Sequence, residues 1–134
     1  MEYGIQMYSV RDVAQEDFQK ALQTVAELGY RYVEFAGFFN HPAKDVKRWL
    51  EEYGLICSGT HTAISPETID GAIAYHQELG CDNLIVPIAG WETEEKMEEN
   101  IAMLNRAQEN LAPAFLLAAI LAPMSLPANI REAG

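Results

Sequence analysis

The stretch Tyr30-Arg31-Tyr32-Val33-Glu34-Phe35-Ala36-Gly37 decides the fold, because it has the pattern of a β-strand with a carboxylate in its middle. Side chains alternate between the two faces of a strand, so Val33 and Phe35 share one face and Glu34 lies on the other. An unpaired charge among apolar neighbours is unfavourable, so Glu34 should be neutralised, paired or held by a ligand. The alternative is an edge strand that leaves Glu34 in water.

A short repeat extends this pattern along the chain. The triplets Glu27-Leu28-Gly29, Glu52-Tyr53-Gly54 and Glu78-Leu79-Gly80 recur 25 and 26 residues apart, and an apolar run follows each of them. Glycine just past a helix takes the left-handed conformation that ends the helix, and the run after it has the composition of a strand. Strand–helix units at this period predict parallel strands joined by right-handed crossovers.

Four such units are predicted. The strands cover about residues 4–8, 30–36, 55–60 and 83–88, and the helices about 17–28, 42–53, 65–79 and a last helix that opens at 90–93. A polar loop, residues 9–16, joins the first strand to its helix. Periodicity places Met97, Ile101, Leu104 and Leu111 on the buried side of the last helix.

The pattern breaks after residue 111. Within the apolar run 114–122 only Ile120 is β-branched, so a helix and a buried strand both remain open. We therefore divide the chain into an α/β region, residues 1–113, and an atypical apolar tail, residues 114–134, whose structure the sequence leaves undecided.

Composition excludes several classes of protein. A net charge of -11 and a pI near 4.5 disfavour nucleic acid as a partner, which needs clustered basic residues. The two cysteines, Cys57 and Cys81, form no disulfide framework and lie in apolar strand contexts, which predicts a reduced, cytoplasmic protein. The N-terminus lacks the pattern of a secretory signal, and the run 114–122 is too short to cross a membrane.

Candidate site residues follow from the predicted sheet, since ligands bind beyond the C-terminal ends of parallel strands. Gln6 and Tyr8 share a face of the first strand, Glu34 occupies the second, His61 closes the third and Trp91 follows the fourth. Together they predict one polar pocket. His61 is suited to act as a general base, a metal ligand or a hydrogen-bond donor. A lone histidine is more often a structural residue, and the position of His61 at a strand end makes the functional and structural interpretations about even.

Other residues carry weaker signals. Trp91, with Phe38 and Phe39, could form a wall for a sugar ring, and packing explains these aromatic residues equally well. His41 and His76 fit packing or surface roles better than chemistry. No glycine-rich phosphate loop, nucleophile elbow or pair of metal-binding histidines at helical spacing is present, and no residue is assigned to a metal.

The chain resembles a known family in three motifs. These are residues 4–12 (GIQMYSVRD), Gly29-Tyr30 leading into the 33–37 run, and residues 58–62 (SGTHT). Together they are similar to the sugar phosphate isomerase/epimerase family of xylose-isomerase-like TIM barrels. The likeness covers about residues 3–113, so the fold class implied is the parallel (β/α) half of a TIM barrel, followed by the tail.

The resemblance implies a function as well as a fold. Members move a proton next to a sugar carbonyl with the help of a divalent metal, Mn, Zn or Mg. Gln6, Glu34 and His61 match pocket positions, which implies a hydroxyl-binding or proton-shuttling role for His61 and an orienting role for Glu34. The expected ligand is a small sugar, with neither nucleic acid nor membrane as partner.

The departure from the family is large. A full barrel takes about 250 residues, and the family's metal-binding carboxylates and paired catalytic glutamates come mostly from later strands that this chain lacks. A truncated or frame-shifted reading of a longer gene would explain the tail. The alternative function is therefore a catalytically incomplete half-barrel that only self-associates or binds a ligand, and whether this chain is itself an enzyme stays open. Because half a barrel exposes an inner face and strand edges, we expect a homodimer or larger homo-oligomer that completes the barrel.

Overall fold

A computed structural model of the protein describes residues 1–86, 93–110 and 116–119, the last segment by its backbone alone. The chain alternates strands and helices, with a short 3₁₀ turn after the first strand. In order, the elements are β1 Gly4–Gln6, the 3₁₀ turn Met7–Val10, α1 Arg11–Glu16, α2 Phe18–Glu27, β2 Tyr32–Phe35, α3 Ala43–Tyr53, β3 Ile56–His61, α4 Ile69–Leu79, β4 Asn83–Val86, α5 Glu94–Asn110 and β5 Leu116–Ala119.

The described strands form one parallel sheet in the order β1-β2-β3-β4-β5. The predicted α/β class and the four strand–helix units are confirmed. In the tail, the segment Leu116–Ala119 adds a fifth strand that pairs along all of β4. The sequence left a helix and a buried strand open for this run, and these four residues form the strand.

The repeated glycines end the helices as predicted. Gly54 and Gly80 cap α3 and α4 with φ values of 66° and 77°, and Gly29, just past α2, has φ 92°. A side chain with a Cβ is strained in this conformation, so glycine allows the chain to leave each helix and enter the next strand.

The helices cover one face of the sheet. Val33 and Phe35 of β2 are fully buried there, packed with α2 and α3 residues such as Leu22 and Val46. A second cluster joins β4 to α4 and α5 through Ile73, Leu84, Val86, Met103 and Ala107. We call the opposite face, which carries Glu34, the inner face. The alternation predicted for the second strand is therefore confirmed.

The first connection differs from the prediction. β1 ends at Gln6, so Tyr8 lies in the 3₁₀ turn and does not share a strand face with Gln6. Residues 11–16, predicted as loop, form α1, because Ala14 is buried in the core. Asp17 then adopts an extended conformation, and its Oδ1 accepts a hydrogen bond from the Lys20 backbone N–H at 2.9 Å, which starts α2.

Two later helices also differ in detail. α4 begins at Ile69 instead of after Ser65, since the Ser65 backbone N–H donates to the Thr68 Oγ1 at 2.9 Å and closes a separate turn. In α5 the buried side chains are Met103 and Ala107, whereas Ile101, predicted to be buried, is 43% exposed. Leu111 lies outside the described residues.

Candidate functional site

Backbone register brings Gln6 and Glu34 to adjacent positions on the inner face. Gln6 of β1 pairs with Glu34 of β2, and paired residues of parallel strands point to the same side. The Gln6 Nε2 donates to the Glu34 Oε1 at 2.7 Å. The amide therefore holds one carboxylate oxygen in place on the inner face.

A β-bulge decides the direction of His61. Val33 pairs with Cys57, but Glu34 pairs with Gly59, so Ser58 is an extra residue in β3. The Ser58 Oγ donates to the Val33 carbonyl at 3.2 Å. Without the extra residue, His61 would have the same parity as Cys57 and would face the helices. With it, His61 lies on the inner face.

His61 and Glu34 form a direct pair there. The His61 Nε2 lies 2.8 Å from the Glu34 Oε1, the same oxygen that Gln6 contacts. The side chains are 20% and 32% exposed, respectively. The expectation that Glu34 has a partner therefore holds, since a carboxylate that accepts two hydrogen bonds is compensated for its partial burial.

The pair leaves polar atoms available to a ligand. The contact with Glu34 means that the His61 Nε2 carries a hydrogen, so in the neutral ring the Nδ1 is an acceptor. Within residues 1–86 and 93–110, no hydrogen bond is made by the His61 Nδ1 or the Glu34 Oε2. These two atoms give the site a base and an acceptor on neighbouring strands.

Tyr8 does not join this group. Its side chain is 57% exposed, the Arg11 guanidinium lies 4.4 Å from its ring centroid, and the Arg11 Nη1 donates to the Tyr8 carbonyl at 3.1 Å. The 3₁₀ turn carries the ring away from the strand face on which the sequence placed it. Trp91 lies outside the described residues, so its substrate-binding role stays a prediction.

The loop after β2 carries two phenylalanines that differ in burial, since Phe38 packs against the core and Phe39 is exposed. Phe38 contacts Phe35 and Tyr75, with ring centroids 5.1 and 4.4 Å apart, and Phe39 lies 5.4 Å from Phe18. His41 stacks on Phe18 at 5.4 Å. The packing interpretation is therefore the right one for Phe38, which packs against the core. Phe39 is 37% exposed, so its place in a wall for a sugar ring stays a prediction.

His76 has a structural role beneath the site. It is buried on α4, its Nδ1 donates to the Ala72 carbonyl at 2.6 Å, and its Nε2 bonds the Thr60 Oγ1 next to His61. Burial lowers the pKa of His76, which favours the neutral ring. Thr60 in turn lies 3.0 Å, oxygen to oxygen, from Thr62, so both neighbours of His61 are held.

Two further polar residues, Tyr32 and Asn83, lie on the inner face, and neither was predicted as a site residue. Tyr32 donates its hydroxyl to the Glu2 Oε2 at 3.0 Å, and Asn83 donates its Nδ2 to the Ser58 carbonyl at 2.7 Å. The hydrogen bond to Glu2 raises the pKa of Tyr32. Alternation of side chains along β2 and β4 could have identified these two residues, because Tyr32 precedes the buried Val33 and Asn83 precedes the buried Leu84.

Metal ligands are few in the described part of the chain. There, no three or more His, Cys, Asp or Glu residues are grouped so as to hold a metal ion, and Glu34 and His61 offer only two donors. None of the helices in the described residues combines the length and the apolarity that a transmembrane segment requires.

Solved structures share the fold. A sugar phosphate isomerase/epimerase from Parabacteroides distasonis ATCC 8503 aligns with a TM-score of 0.66 and 22% identity, over 94% of this chain and 56% of that protein. A family 2 AP endonuclease from Brucella melitensis aligns with a TM-score of 0.65 and 20% identity, over 76% of this chain and 48% of that protein. An uncharacterized protein from the same Parabacteroides strain gives a TM-score of 0.62 and 14% identity, over 97% of this chain and 56% of that one.

The chain thus spans about half the length of the solved proteins that it matches. No protein-family model matches it, and no curated protein matches it significantly. At these identities the likeness concerns the fold, and it agrees with the parallel sheet and its covering helices. The chain therefore has a fold that matches half of the TIM barrel of these neighbours, a sugar phosphate isomerase/epimerase and an AP endonuclease of family 2.

Proposed function

We propose that this chain is a sugar or sugar-phosphate isomerase/epimerase-like protein in which Glu34 and His61 handle a proton next to a carbonyl. The observation that supports the proposal is the Glu34–His61 pair at 2.8 Å on the inner face. Both residues lie toward the C-terminal ends of adjacent parallel strands, where barrel enzymes place their chemistry.

The proposed step assigns a different task to each residue. The His61 Nδ1 accepts the proton from the carbon beside the carbonyl. The electrons of the broken C–H bond form a C=C bond, and the π electrons of the carbonyl move onto its oxygen, which gives an enediolate. Return of the proton to the neighbouring carbon, while the hydroxyl proton moves to the former carbonyl oxygen, gives the isomer. Protonation of the original carbon by water from the opposite face gives the epimer, and His61 then releases its proton to solvent. Glu34 orients the ring and stabilises the imidazolium, while Gln6 holds the carboxylate in place.

A divalent metal is expected from the resemblance, but the described residues do not provide a complete site for one. We therefore assign no step to a metal. The tasks proposed for Glu34, His61 and Gln6 are binding, orientation and proton transfer, which need only the atoms that the pair leaves available.

Solvent deuterium exchange tests the proposal directly. The protein is incubated in D2O with five- and six-carbon aldoses, ketoses and their phosphate esters, with and without Mn²⁺, and proton NMR follows the signal beside the carbonyl. We expect catalysed loss of that signal for at least one sugar, and its abolition in His61→Ala. Glu34→Gln should slow the exchange, because Glu34 orients the His61 ring and stabilises the imidazolium. The control is Glu51→Gln, at an exposed site on α3, which should exchange as the wild type does. Absence of exchange with every sugar would contradict the proposal.

A second candidate function is self-association of an incomplete half-barrel. β1 pairs only with β2 among the described strands, so its other edge has free backbone groups. On the inner face Ile56, which pairs with Tyr32, is 41% exposed. A second copy of this chain is the occupant we propose for this surface, as in the homo-oligomer expected from the sequence.

Sedimentation at micromolar concentration tests the association. Ile56→Lys should weaken it, whereas Ile101→Lys, at a similarly exposed position on α5, should not. A stable wild-type monomer would rule this candidate out. The endonuclease neighbour leads to no third candidate, because a net charge of -11 opposes binding to a phosphate backbone. A cytoplasmic location is proposed on the basis of the two free thiols.

A further inference from the structure

Two thiols meet on the helix-covered side of the sheet. Cys57 is the second residue of β3, and Cys81 precedes β4 by two residues. Their Sγ atoms are 2.8 Å apart, closer than sulfur atoms of separate side chains usually approach. Since a disulfide bond is about 2.05 Å long, only a small movement separates the two sulfur atoms from bonding distance.

The surroundings make the two thiols unequal. Cys81 is 1% exposed, whereas Cys57 is partly exposed. The hydrogen bond from Cys57 lowers the pKa of Cys81, and the same bond together with burial raises that of Cys57. Cys81 is therefore the sulfur that more readily carries the negative charge, and thiolates are the nucleophilic form of cysteine.

We propose that Cys57 and Cys81 form an oxidisable dithiol, which a peroxide converts into an intrachain disulfide. The inference goes beyond the proposed function and does not depend on it. In the first step the Cys81 sulfur attacks a peroxide oxygen, an S–O bond forms, the O–O bond breaks, and hydroxide leaves and takes up a proton.

In the second step the Cys57 sulfur, having lost its proton, attacks the sulfenic sulfur of Cys81. The S–S bond forms, the S–O bond breaks, and a second water leaves. The two thiols lose two electrons in total, and hydrogen peroxide gains them as it becomes two molecules of water. The atoms and charges therefore balance with peroxide as the only co-reactant.

The position of the pair gives the disulfide a structural effect. It would close the segment 57–81, which contains α4, and would join the starts of β3 and β4. His61 is the last residue of β3. Oxidation thus restrains the strand that carries His61 at the end opposite the candidate site, without touching Glu34 or His61.

Intact-mass measurement of the reduced wild-type chain before and after hydrogen peroxide tests the proposal. After oxidation we expect a mass lower by two hydrogens, complete protection from iodoacetamide under denaturing conditions, and a peptide map that joins Cys57 to Cys81. Dithiothreitol should restore two alkylatable thiols. On a non-reducing gel the oxidised protein should show no disulfide bonds between chains.

The single variants Cys57→Ser and Cys81→Ser provide the control. Cys57→Ser should leave Cys81 to accumulate as a sulfenic acid that dimedone labels, and neither variant should lose two hydrogens. Because the wild-type map needs no variant, the test stands even if a serine variant does not fold. Two thiols that survive peroxide, oxidation only to unpaired sulfur acids, or disulfides only between chains would each overturn the proposal.

Discussion

The coupling between Glu34 and His61 can be measured as a free energy. The two side chains share one charge-assisted hydrogen bond at 2.8 Å, with 32% and 20% of their surfaces exposed. Hydrogen bonds to charged groups contribute about 1.5–3 kcal/mol when buried, and exposed ion pairs contribute about 0.2–1 kcal/mol. Partial exposure places this pair between the two cases, so we expect a coupling of roughly 1 kcal/mol near pH 7.

A double-mutant cycle isolates the coupling free energy between Glu34 and His61. The free energy of unfolding is measured by urea titration for the wild type, Glu34→Ala, His61→Ala and the double variant, with fluorescence of the buried Trp49 as one signal. The loss in the double variant should be smaller than the sum of the single losses by roughly the coupling energy.

A matched cycle controls for general effects of truncation. Glu51→Ala replaces Glu34→Ala, because Glu51 is exposed on α3, away from the inner face. Its coupling to His61→Ala should be zero within error. If the Glu34 cycle gave a coupling no larger than the Glu51 cycle, the two side chains would not interact in solution, and the site as described would be wrong.

Three further predictions concern stability. Burial lowers the pKa of His76 below its ordinary 6.5, so the unfolded chain binds a proton at this residue before the folded chain does. The free energy of unfolding should therefore fall as the pH drops below about 6.5. Urea midpoints measured at two pH values should fall less in His76→Gln than in the wild type. Gly80→Ala should destabilise the protein by roughly 1 kcal/mol in urea, because φ is 77° there, whereas Gly71→Ala within α4 should not. Oxidation of Cys57 and Cys81 should stabilise the folded chain by about 3 kcal/mol, measured as a higher urea midpoint that dithiothreitol reverses; an unchanged midpoint would show that closing the segment strains the fold.

Local sequence rules were sufficient for much of the fold. Glycine after each helix and an apolar run after each glycine predicted the strand–helix units, and Gly54 and Gly80 have the positive φ values that this pattern requires. Alternation within 32–35 correctly separated Val33 and Phe35 from Glu34. These features depend on residues close in the chain, so they can be recognised before any tertiary contact is known.

Other features depended on long-range packing. Tyr8 left the strand face because the chain turns after Gln6, and α5 buries Met103 instead of Ile101 because of the way it rests on the second core cluster. The apolar run of the tail had no decisive local signal, and the open edge of β4 pairs with Leu116–Ala119. For the tail alone the sequence left two outcomes open, a helix and a strand.

The candidate site combines features set by local sequence with one feature set by the pairing of distant strands. The sequence by itself determined that Glu34 is on the inner face and that His61 ends the third strand. Regular alternation from the buried Leu55 would have turned His61 toward the helices, away from Glu34. Only the tertiary structure decided otherwise, because the bulge at Ser58 inserts one residue into the pairing with β2 and reverses the face of everything after it.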